Sequence, residues 1–261
     1  SGEAINTTHA GDLAGMSIAG KSVLVTGGGS GVGADLAVGF AKAGAEVLIC
    51  GRRPAALTKT AQAHPKIRTA LCDITDEQAV IALFQAQGGF DIVIANAGQA
   101  QSAPFAKTSL ADWNTMLSVN LTGTFLVFRE ALRHMKGWGR LIAIGSTAGL
   151  KGYARVAPYA ASKHGVIGLT RSLALEYAQS PITVNAICPG FLDTEMTEVS
   201  VQTIMQKTGR TKEQARAALA SFNPQNRLFQ PSEVTATALW LCQPGAEGVN
   251  GQAIALSGGE I

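Results

Sequence analysis

The chain has 261 residues, of which 46% are hydrophobic and only 15% are charged, and its formal net charge is +3. This composition excludes a disordered or fibrous protein and is typical of one large α/β domain. The small and dispersed net charge gives no reason to expect binding to nucleic acid or to a membrane surface. No apolar run approaches the roughly 18 residues that cross a bilayer, and the start lacks a signal-peptide pattern, so we expect a cytoplasmic protein.

The first fifteen residues are polar and small and show no hydrophobic periodicity. We expect residues 1–15 to be a disordered tail or an expression remnant, with Met16 as the natural start of a catalytic domain over 16–261. From there strands and helices alternate without a break in composition. This alternation favours a single-domain α/β fold, a Rossmann-type doubly wound parallel sheet with helices on both faces.

The four cysteines show no CxxC spacing. Three of them, Cys50, Cys72 and Cys188, lie at or near the ends of apolar runs that resemble strands, and the fourth is Cys242. We therefore expect buried free thiols, with neither disulfides nor a metal site.

The first strand pattern, residues 21–26, leads into the glycine-rich sequence GGGSGVG and then into an apolar pattern of helical spacing. This order is typical of a phosphate site, because glycines let the backbone approach a pyrophosphate and the next helix presents its N-terminal amides. An ordinary glycine turn is the alternative. The predicted cofactor contacts here are Gly27, Ser30, Gly31, Val32 and Gly33.

The second strand, residues 46–50, ends in Gly51, Arg52 and Arg53. An acidic residue at this point would bind the adenine ribose of NAD and repel the 2′-phosphate of NADP, and here it is absent. The arginines offer planar donors for a phosphate, so we predict NADP, with NAD as the alternative. A solvated basic turn would explain the same residues.

The next two strands, residues 67–72 and 91–94, also end in residues suited to a cofactor crevice. A carboxylate at the first end can accept a hydrogen bond from an adenine amino group, and the NAG sequence follows the second. Both segments could equally be plain turns. The predicted contacts are Asp73, Ile74, Asn96, Ala97 and Gly98.

A tyrosine and a lysine lie four residues apart in the sequence PYAASK, so a helix would place Tyr159 and Lys163 on one face. A positive charge and a bound cofactor can bring a phenol into the range of general acid–base chemistry. Ser146 follows a strand predicted over 140–145, where its hydroxyl could bind the reacting oxygen. Asn120 lies in a helical stretch predicted over 110–136, where it could also serve only as a cap or kink.

The connection over residues 191–222 is unusually long, and only its part 212–220 has a helical pattern. Long connections in compact domains are often lids or substrate-binding segments. We therefore expect a substrate lid at 191–222.

These motifs, in this order and spacing, resemble the short-chain dehydrogenase/reductase superfamily over residues 18–261. The resemblance implies that Tyr159 is the catalytic acid/base and that Lys163 lowers its pKa and holds the nicotinamide ribose. Ser146 would position the substrate oxygen, and Asn120 would support a water-linked proton path. The resemblance also implies cofactor contacts at Pro189, Gly190, Leu192 and Thr194.

Residues 157–170 and 182–196 are similar to reductases of 3-oxoacyl thioesters and to aromatic-polyketide ketoreductases. A 3-hydroxybutyrate-type or other secondary-alcohol dehydrogenase is the alternative, although Thr147 stands where the hydroxybutyrate pattern has a histidine. A catalytically inactive dinucleotide-binding sensor is an alternative of another class, and the sequence shows no change that would disable the site. The family resemblance further implies a homo-oligomer, most simply a tetramer.

The substrate is expected to be a small carbonyl or alcohol compound. Four apolar or aromatic side chains near the predicted catalytic residues could line its pocket, although each could be an ordinary packing residue. They are Leu150, Tyr153, Phe191 and Met196. Two neighbouring cations, Lys151 and Arg155, could meet a phosphate-bearing thioester carrier or lie in solvent.

Overall fold

The computed structural model describes residues 18–261, and the predicted tail at 1–15 lies outside that range. Within it the strands are β1 (Ser22–Thr26), β2 (Glu46–Gly51), β3 (Ile67–Leu71), β4 (Ile92–Ala95), β5 (Gly139–Ile144), β6 (Ile182–Pro189) and β7 (Ala253–Leu256). They form one parallel sheet in the order β3-β2-β1-β4-β5-β6-β7.

Helices cover both faces of this sheet. In the same part of the chain they are α1 (Gly31–Lys42), α2 (Pro54–Ala61), α3 (Glu77–Gln87), α4 (Leu110–Leu117), α5 (Gly123–His134), α6 (Ala157–Glu176), α7 (Glu195–Thr208), α8 (Lys212–Ala220) and α9 (Pro231–Leu241). Side chains of α3, α5 and α6 pack on one face, and those of α1, α2 and α9 pack on the other. The predicted doubly wound sheet is therefore confirmed. None of the described helices is long and apolar enough to cross a membrane.

The apolar strands fill two separate cores because successive side chains of a strand point to opposite faces. In β1, Leu24 belongs to the core beneath α5 and α6, whereas Val23 and Val25 belong to the core beneath α1 and α9. All three are fully buried. Strands covered on both faces are continuous hydrophobic runs, which explains why these segments show little polar alternation.

The sheet order reverses between β1 and β4, which are neighbours although β2 and β3 lie between them in the chain. Connections from these two strands leave the sheet in opposite directions, so a crevice opens at their carboxyl ends. The glycine loop after β1 and the NAG sequence after β4 meet at this crevice. The fold thus brings together motifs that are 70 residues apart in the chain.

The helical stretch predicted over 110–136 is confirmed for residues 110–134. Within it, α4 and α5 are joined by a π-helical turn at Ser118–Thr122. A π turn inserts one extra residue into the helix, and such insertions often accompany functional sites. Here the hydroxyl of Thr124 donates to the carbonyl of Asn120 at 2.9 Å, which satisfies a backbone acceptor within the irregular turn.

The predicted lid segment contains two helices, whereas the sequence pattern indicated only the second. The missed helix, α7, buries only Thr197 and Val201, so its apolar periodicity is weak. Its partner α8 buries Ala215 and Leu219, and the two helices share a small apolar core with Leu228. The segment is therefore a helical pair with its own packing.

All four cysteines are free and buried, as predicted. The sulfurs of Cys50 and Cys72, at the ends of β2 and β3, are in hydrogen-bonding contact. Across the part of the chain that the structure describes, no group of three His, Cys, Asp or Glu side chains is arranged to hold a metal ion.

The core placement predicts different costs for the same substitution at two leucines. Leu141 in β5 is fully buried, whereas Leu71 in β3 is 66% exposed. Leu141→Ala should lower the free energy of unfolding by about 2–5 kcal/mol, because it removes buried apolar contacts and leaves a cavity. Leu71→Ala should cost less than about 0.5 kcal/mol. Urea unfolding followed by circular dichroism measures both, and equal losses would contradict this placement.

Candidate active site

The glycine loop between β1 and α1 is too tightly packed for side chains at two positions. Gly27 has a left-handed φ of +66°, and a Cβ there would lie 2.8 Å from the Cα of Ala97. A Cβ on Gly33 would lie 2.2 Å from the carbonyl oxygen of Gly27. The loop therefore presents bare backbone to the crevice, as a bound pyrophosphate requires.

The N-terminus of α1 is open toward this crevice. Ser30 is its N-cap residue, but among the described residues no side chain caps the helix. The first backbone amides and the positive end of the helix dipole are therefore directed at the loop. Arg53 donates to the Ser30 hydroxyl at 3.1 Å, which places a guanidinium beside the same loop. Val32 is partly buried and packs against the core on this face of the sheet.

At the ends of β2 and β3, Arg52 and Asp73 face each other with 4.0 Å between guanidinium nitrogen and carboxylate oxygen. The Arg52 side chain is 67% exposed. Asp73 also accepts hydrogen bonds from the amide and hydroxyl of Thr75 at 3.0 and 2.7 Å, which lower its pKa below the usual value. Asp73 is thus a turn residue in this structure, and Ile74 is packed in the core, which leaves its backbone as the only part available to a cofactor.

Asn96 holds the ends of β1 and β4 together. Its side-chain amide donates to the carbonyls of Thr26 and Gly27 at 3.0 and 3.3 Å. In return, the Thr26 hydroxyl accepts hydrogen bonds from the amides of Asn96 and Ala97, each at 3.0 Å. The Asn96 side chain therefore holds the start of the glycine loop against the end of β4.

Asn120, in the π turn, clamps the chain that follows the NAG sequence. Its side-chain oxygen accepts from the Gln99 amide at 2.9 Å, and its nitrogen donates to the Gln99 carbonyl at 2.9 Å. The same nitrogen donates to the hydroxyl of Ser162 in α6 at 3.1 Å. A Cβ on Gly98 would lie 3.0 Å from the Asn120 oxygen and 3.6 Å from the Lys163 ammonium. Asn120 is thus buried between the NAG loop and the helix that carries Tyr159 and Lys163.

Ser146, Tyr159 and Lys163 are brought together by the packing of α6 on the end of β5. The Ser146 hydroxyl accepts from the Ala148 amide at 3.1 Å and is in hydrogen-bonding contact with the Tyr159 phenol. The Lys163 ammonium donates to the carbonyl of Ile144 at 2.8 Å and lies 5.8 Å from the centre of the Tyr159 ring. One hydroxyl, one phenol and one buried amine therefore share the crevice.

The pKa values of Tyr159 and Lys163 differ from the expectation that Lys163 lowers the pKa of Tyr159. Burial raises the pKa of Tyr159 above its usual value, and the hydrogen bond with Ser146 opposes that rise. Burial also lowers the pKa of Lys163 to about 8, against a smaller opposite effect of Cys188. In the protein alone, desolvation outweighs any attraction between the ammonium and a phenolate, because Lys163 is directed at a backbone carbonyl.

The end of β6 closes the far side of the crevice. Pro189 is the last residue of the strand, and the Gly190 amide donates to the Leu256 carbonyl at 3.0 Å. Leu192 pairs with Phe229 in an isolated bridge. Thr194, the N-cap residue of α7, lies with its methyl carbon 3.6 Å from where a Cβ on Gly31 would be. The lid segment therefore begins beside the glycine loop.

The family model for short chain dehydrogenases matches residues 21–204. This chain belongs to the short-chain dehydrogenase family. It is 36% identical over 255 residues to the 3-oxoacyl-[acyl-carrier-protein] reductase FabG of Aquifex aeolicus, a match covering 94% of this chain and 98% of the relative. It is 35% identical over 253 residues to a D-beta-hydroxybutyrate dehydrogenase of Cupriavidus necator, with 93% and 98% covered.

Among solved structures, actinorhodin polyketide ketoreductase with NADPH superposes on this short-chain dehydrogenase with a TM-score of 0.87 at 34% identity, covering 92% of this chain and 97% of the other. The similarity spans both the fold and the segments that form the crevice. The protein is an oxidoreductase that transfers a hydride between a nicotinamide cofactor and a carbonyl or alcohol carbon.

Of the four side chains expected to line a substrate pocket in this dehydrogenase, two share an aromatic cluster. Tyr153 and Phe191 each contact Phe222, with ring centroids 5.9 and 5.4 Å apart. Leu150 packs against the main core, and Met196 is 50% exposed. Phe222 was not predicted, since it is 31 residues beyond Phe191 and no local pattern connects them.

A second feature that the sequence did not indicate is the position of Glu260. Its carboxylate pairs with Lys151 at 2.8 Å and accepts a hydrogen bond from the Tyr153 phenol at 2.5 Å. Lys151 therefore has an anionic partner within the dehydrogenase itself, which the expectation of a phosphate contact did not include. The other cation, Arg155, has a left-handed φ of 70°, and its carbonyl accepts from the Ala103 amide at 2.9 Å.

The buried Lys163 amine predicts a specific pH dependence of stability. Below pH 8 the folded dehydrogenase must bury a charged ammonium, whereas from about pH 8 to 10.5 only the unfolded chain keeps the proton. Stability contributed at this position should therefore rise with pH in that window. Relative to Lys163→Met, the parent should gain about 2 kcal/mol between pH 8 and 10. Urea unfolding of both proteins measures this, and a constant difference across the window would refute it.

Proposed function

We propose that this protein is an NADP-dependent ketone reductase whose substrates are 3-oxoacyl thioesters or related carbonyl compounds. The observation that carries the proposal is the convergence of Ser146, Tyr159 and Lys163 at one end of a glycine-lined crevice. The names of the relatives, a 3-oxoacyl reductase and a polyketide ketoreductase, support this substrate class. A 3-hydroxybutyrate-type dehydrogenase is the competing assignment.

The crevice fits a dinucleotide, because its glycine loop leaves no room for a Cβ at Gly27 or Gly33 and the N-terminus of α1 is directed at it. When bound, the cofactor supplies the hydride for the carbonyl carbon. Arg53 beside Ser30, and Arg52 at the end of β2, are the groups that would hold a 2′-phosphate. The other proposed contacts lie at the strand ends, at Asp73, Ile74, Asn96, Ala97, Gly98, Pro189, Gly190, Leu192 and Thr194.

Proton transfer is assigned to Tyr159. Its pKa is raised in the protein alone, so it holds its proton at neutral pH and can give it to a carbonyl oxygen that gains negative charge. Ser146, in contact with the same phenol, would hold that oxygen during the transfer. Lys163 would bind the ribose in this proposal, and Asn120 links the loop at Gln99 to the helix of Tyr159 through hydrogen bonds.

The environment of the crevice favours a neutral, partly apolar substrate. Tyr153, Phe191 and Phe222 form an aromatic cluster on one side, and the charge of Lys151 is already paired with Glu260. Pockets of this composition bind acyl chains and rings, and the few polar groups fix orientation. The helical pair over 191–222 is proposed as the lid over such a substrate, since it begins beside the glycine loop.

The proposal further includes a cytoplasmic homotetramer, with residues 16–261 as one catalytic domain. Two large apolar side chains support subunit contacts through α5 and α6. Phe125 is 41% exposed and Leu175 is 81% exposed in the single chain. Sedimentation velocity at several protein concentrations measures the oligomeric state, and a monomer at every concentration would exclude the tetramer.

Tyr159→Phe should keep cofactor binding but lower kcat by about 100-fold or more, because the variant retains the ring and removes the only proton assigned to the carbonyl oxygen. The matched control is Tyr177→Phe, at the far end of α6. Reduction of a ketone panel of acetoacetyl-CoA, cyclic ketones and a polycyclic ketone, followed by cofactor absorbance, measures the rates. Near-normal turnover by Tyr159→Phe would end this assignment, and no turnover by the parent with any ketone would favour an inactive dinucleotide-binding sensor.

Arg53→Ala should raise the KM for NADPH by about tenfold while changing the KM for NADH little, because only NADPH carries the 2′-phosphate that the guanidinium would bind. Arg52→Ala should act in the same direction and more weakly, given the pairing of Arg52 with Asp73. Arg68→Ala, on the exposed side of β3, is the control. A parent enzyme with a clear preference for NADH would refute the choice of NADP.

A further inference from the structure

Glu260 carries a carboxylate that is almost completely buried, with its side chain 7% exposed. Two groups from the turn after β5 satisfy it: the Lys151 ammonium at 2.8 Å and the Tyr153 phenol at 2.5 Å. The bond from Tyr153 is of the length expected for a charge-assisted O–H···O⁻ contact. Burying a charged carboxylate costs free energy unless the charge is paired and hydrogen-bonded, and both conditions are met here.

This carboxylate lies on the wall of the crevice. Because a phenol has one proton and the carboxylate accepts it, the hydroxyl of Thr147, 2.8 Å away, is left to donate to the Tyr153 oxygen. Thr147 directly follows Ser146. The second oxygen of Glu260 lies 3.8 Å from where a Cβ on Gly190 would be. Glu260 is thus connected through two hydrogen bonds to the residue next to Ser146, and it adjoins the loop after β6.

The same contacts fix both the protonation state and the position of Tyr153. Burial and the hydrogen bond to Glu260 both raise the pKa of the Tyr153 phenol well above its usual value. Its ring stacks edge-on against Phe222, and the Lys151 ammonium lies 5.0 Å from the ring centre. Tyr153 therefore stays protonated, and its proton is held in the hydrogen bond to Glu260.

The charge of Lys151 determines which substrates this wall can accept. Lys151 and Arg155 are the two cations in the segment after β5 that could attract a substrate carboxylate, and Glu260 neutralises Lys151 within the protein. An anionic substrate would then gain no attraction from the paired lysine and would be repelled by the buried carboxylate. A neutral ketone would be affected by neither charge.

We propose that Glu260 is a specificity-determining residue that makes the site select neutral ketones and thioesters and reject substrates that carry a free carboxylate. The proposal rests on the reductase function inferred above and names the substrate feature to which that site responds. Glu260 acts through Lys151 and Tyr153, so it is a positioning residue, and no proton or hydride passes through it.

The test compares two substrates with the same reacting ketone and different charge, the neutral ethyl acetoacetate and the anionic acetoacetate. The parent should favour the neutral ester in kcat/KM. Glu260→Gln keeps the size and the acceptor for Tyr153 but removes the charge and frees the Lys151 ammonium. It should shift the ratio toward acetoacetate by at least about tenfold, chiefly through KM.

Two further variants separate charge from structure. Lys151→Met leaves the carboxylate with Tyr153 as its remaining partner and should move the ratio in the opposite direction, toward the ester; circular dichroism checks that this variant folds. The double variant Lys151→Met with Glu260→Gln should lose the gain for acetoacetate. Glu46→Gln, which breaks a more exposed lysine–glutamate pair with Lys66 at 2.9 Å at the opposite end of the sheet, should leave the ratio unchanged.

Equal effects of Glu260→Gln on both substrates would overturn the proposal and leave Glu260 a structural residue. A parent that prefers acetoacetate would overturn it as well. If the parent reduces neither compound, the reductase assignment fails for this class, and Kd values of the same two compounds for the enzyme with NADPH, measured by calorimetry, test Glu260 separately. There, an unchanged ratio of Kd values in Glu260→Gln would reject the proposal.

Discussion

The site depends on the close contact between the carboxyl ends of β1 and β4. The Thr26 hydroxyl accepts two amides from the β4 side, and the Asn96 amide returns hydrogen bonds to two carbonyls on the β1 side. Gly27 and Gly33 are needed because the backbone segments are too close for a Cβ. Without this contact the glycine loop would have no fixed position relative to α1, and the crevice would not direct amides at a phosphate. The dinucleotide site is therefore a consequence of how two parallel strands are packed.

The reactive end of the crevice depends on a second packing contact, between the turn after β5 and α6. A Cβ on Gly149 would lie 2.8 Å from the Lys163 carbonyl oxygen, so the turn and the helix touch through backbone. This contact buries Lys163 and partly buries Tyr159 beside Ser146, and desolvation then shifts both of their pKa values toward the neutral forms. In the protein without a cofactor, desolvation by burial, and not an ion pair, is the main cause of these two pKa shifts.

The substrate side is assembled from distant parts of the chain. Phe191 and Phe222 come from the two ends of the long connection, Tyr153 comes from the turn after β5, and Glu260 follows β7. Loops at the carboxyl ends of parallel strands can vary without disturbing the sheet, so related enzymes can share one mechanism and differ in substrate. In this chain the pairing with Glu260 neutralises the charge of Lys151 on that wall.

The sequence by itself determined the alternating strands and helices, the glycine loop and the pairing of Tyr159 with Lys163 on one helix, because each depends on residues close together in the chain. Only the tertiary structure decided that Asn120 sits in a π turn bonded to Gln99 and Ser162, that Arg53 and not Arg52 reaches Ser30, and that Glu260 meets Tyr153. It also decided that Lys163 bonds a carbonyl and that α7 exists, although α7 buries few apolar residues. Contacts between residues 19 to 107 positions apart leave no periodic pattern, since their geometry is set by how whole elements pack.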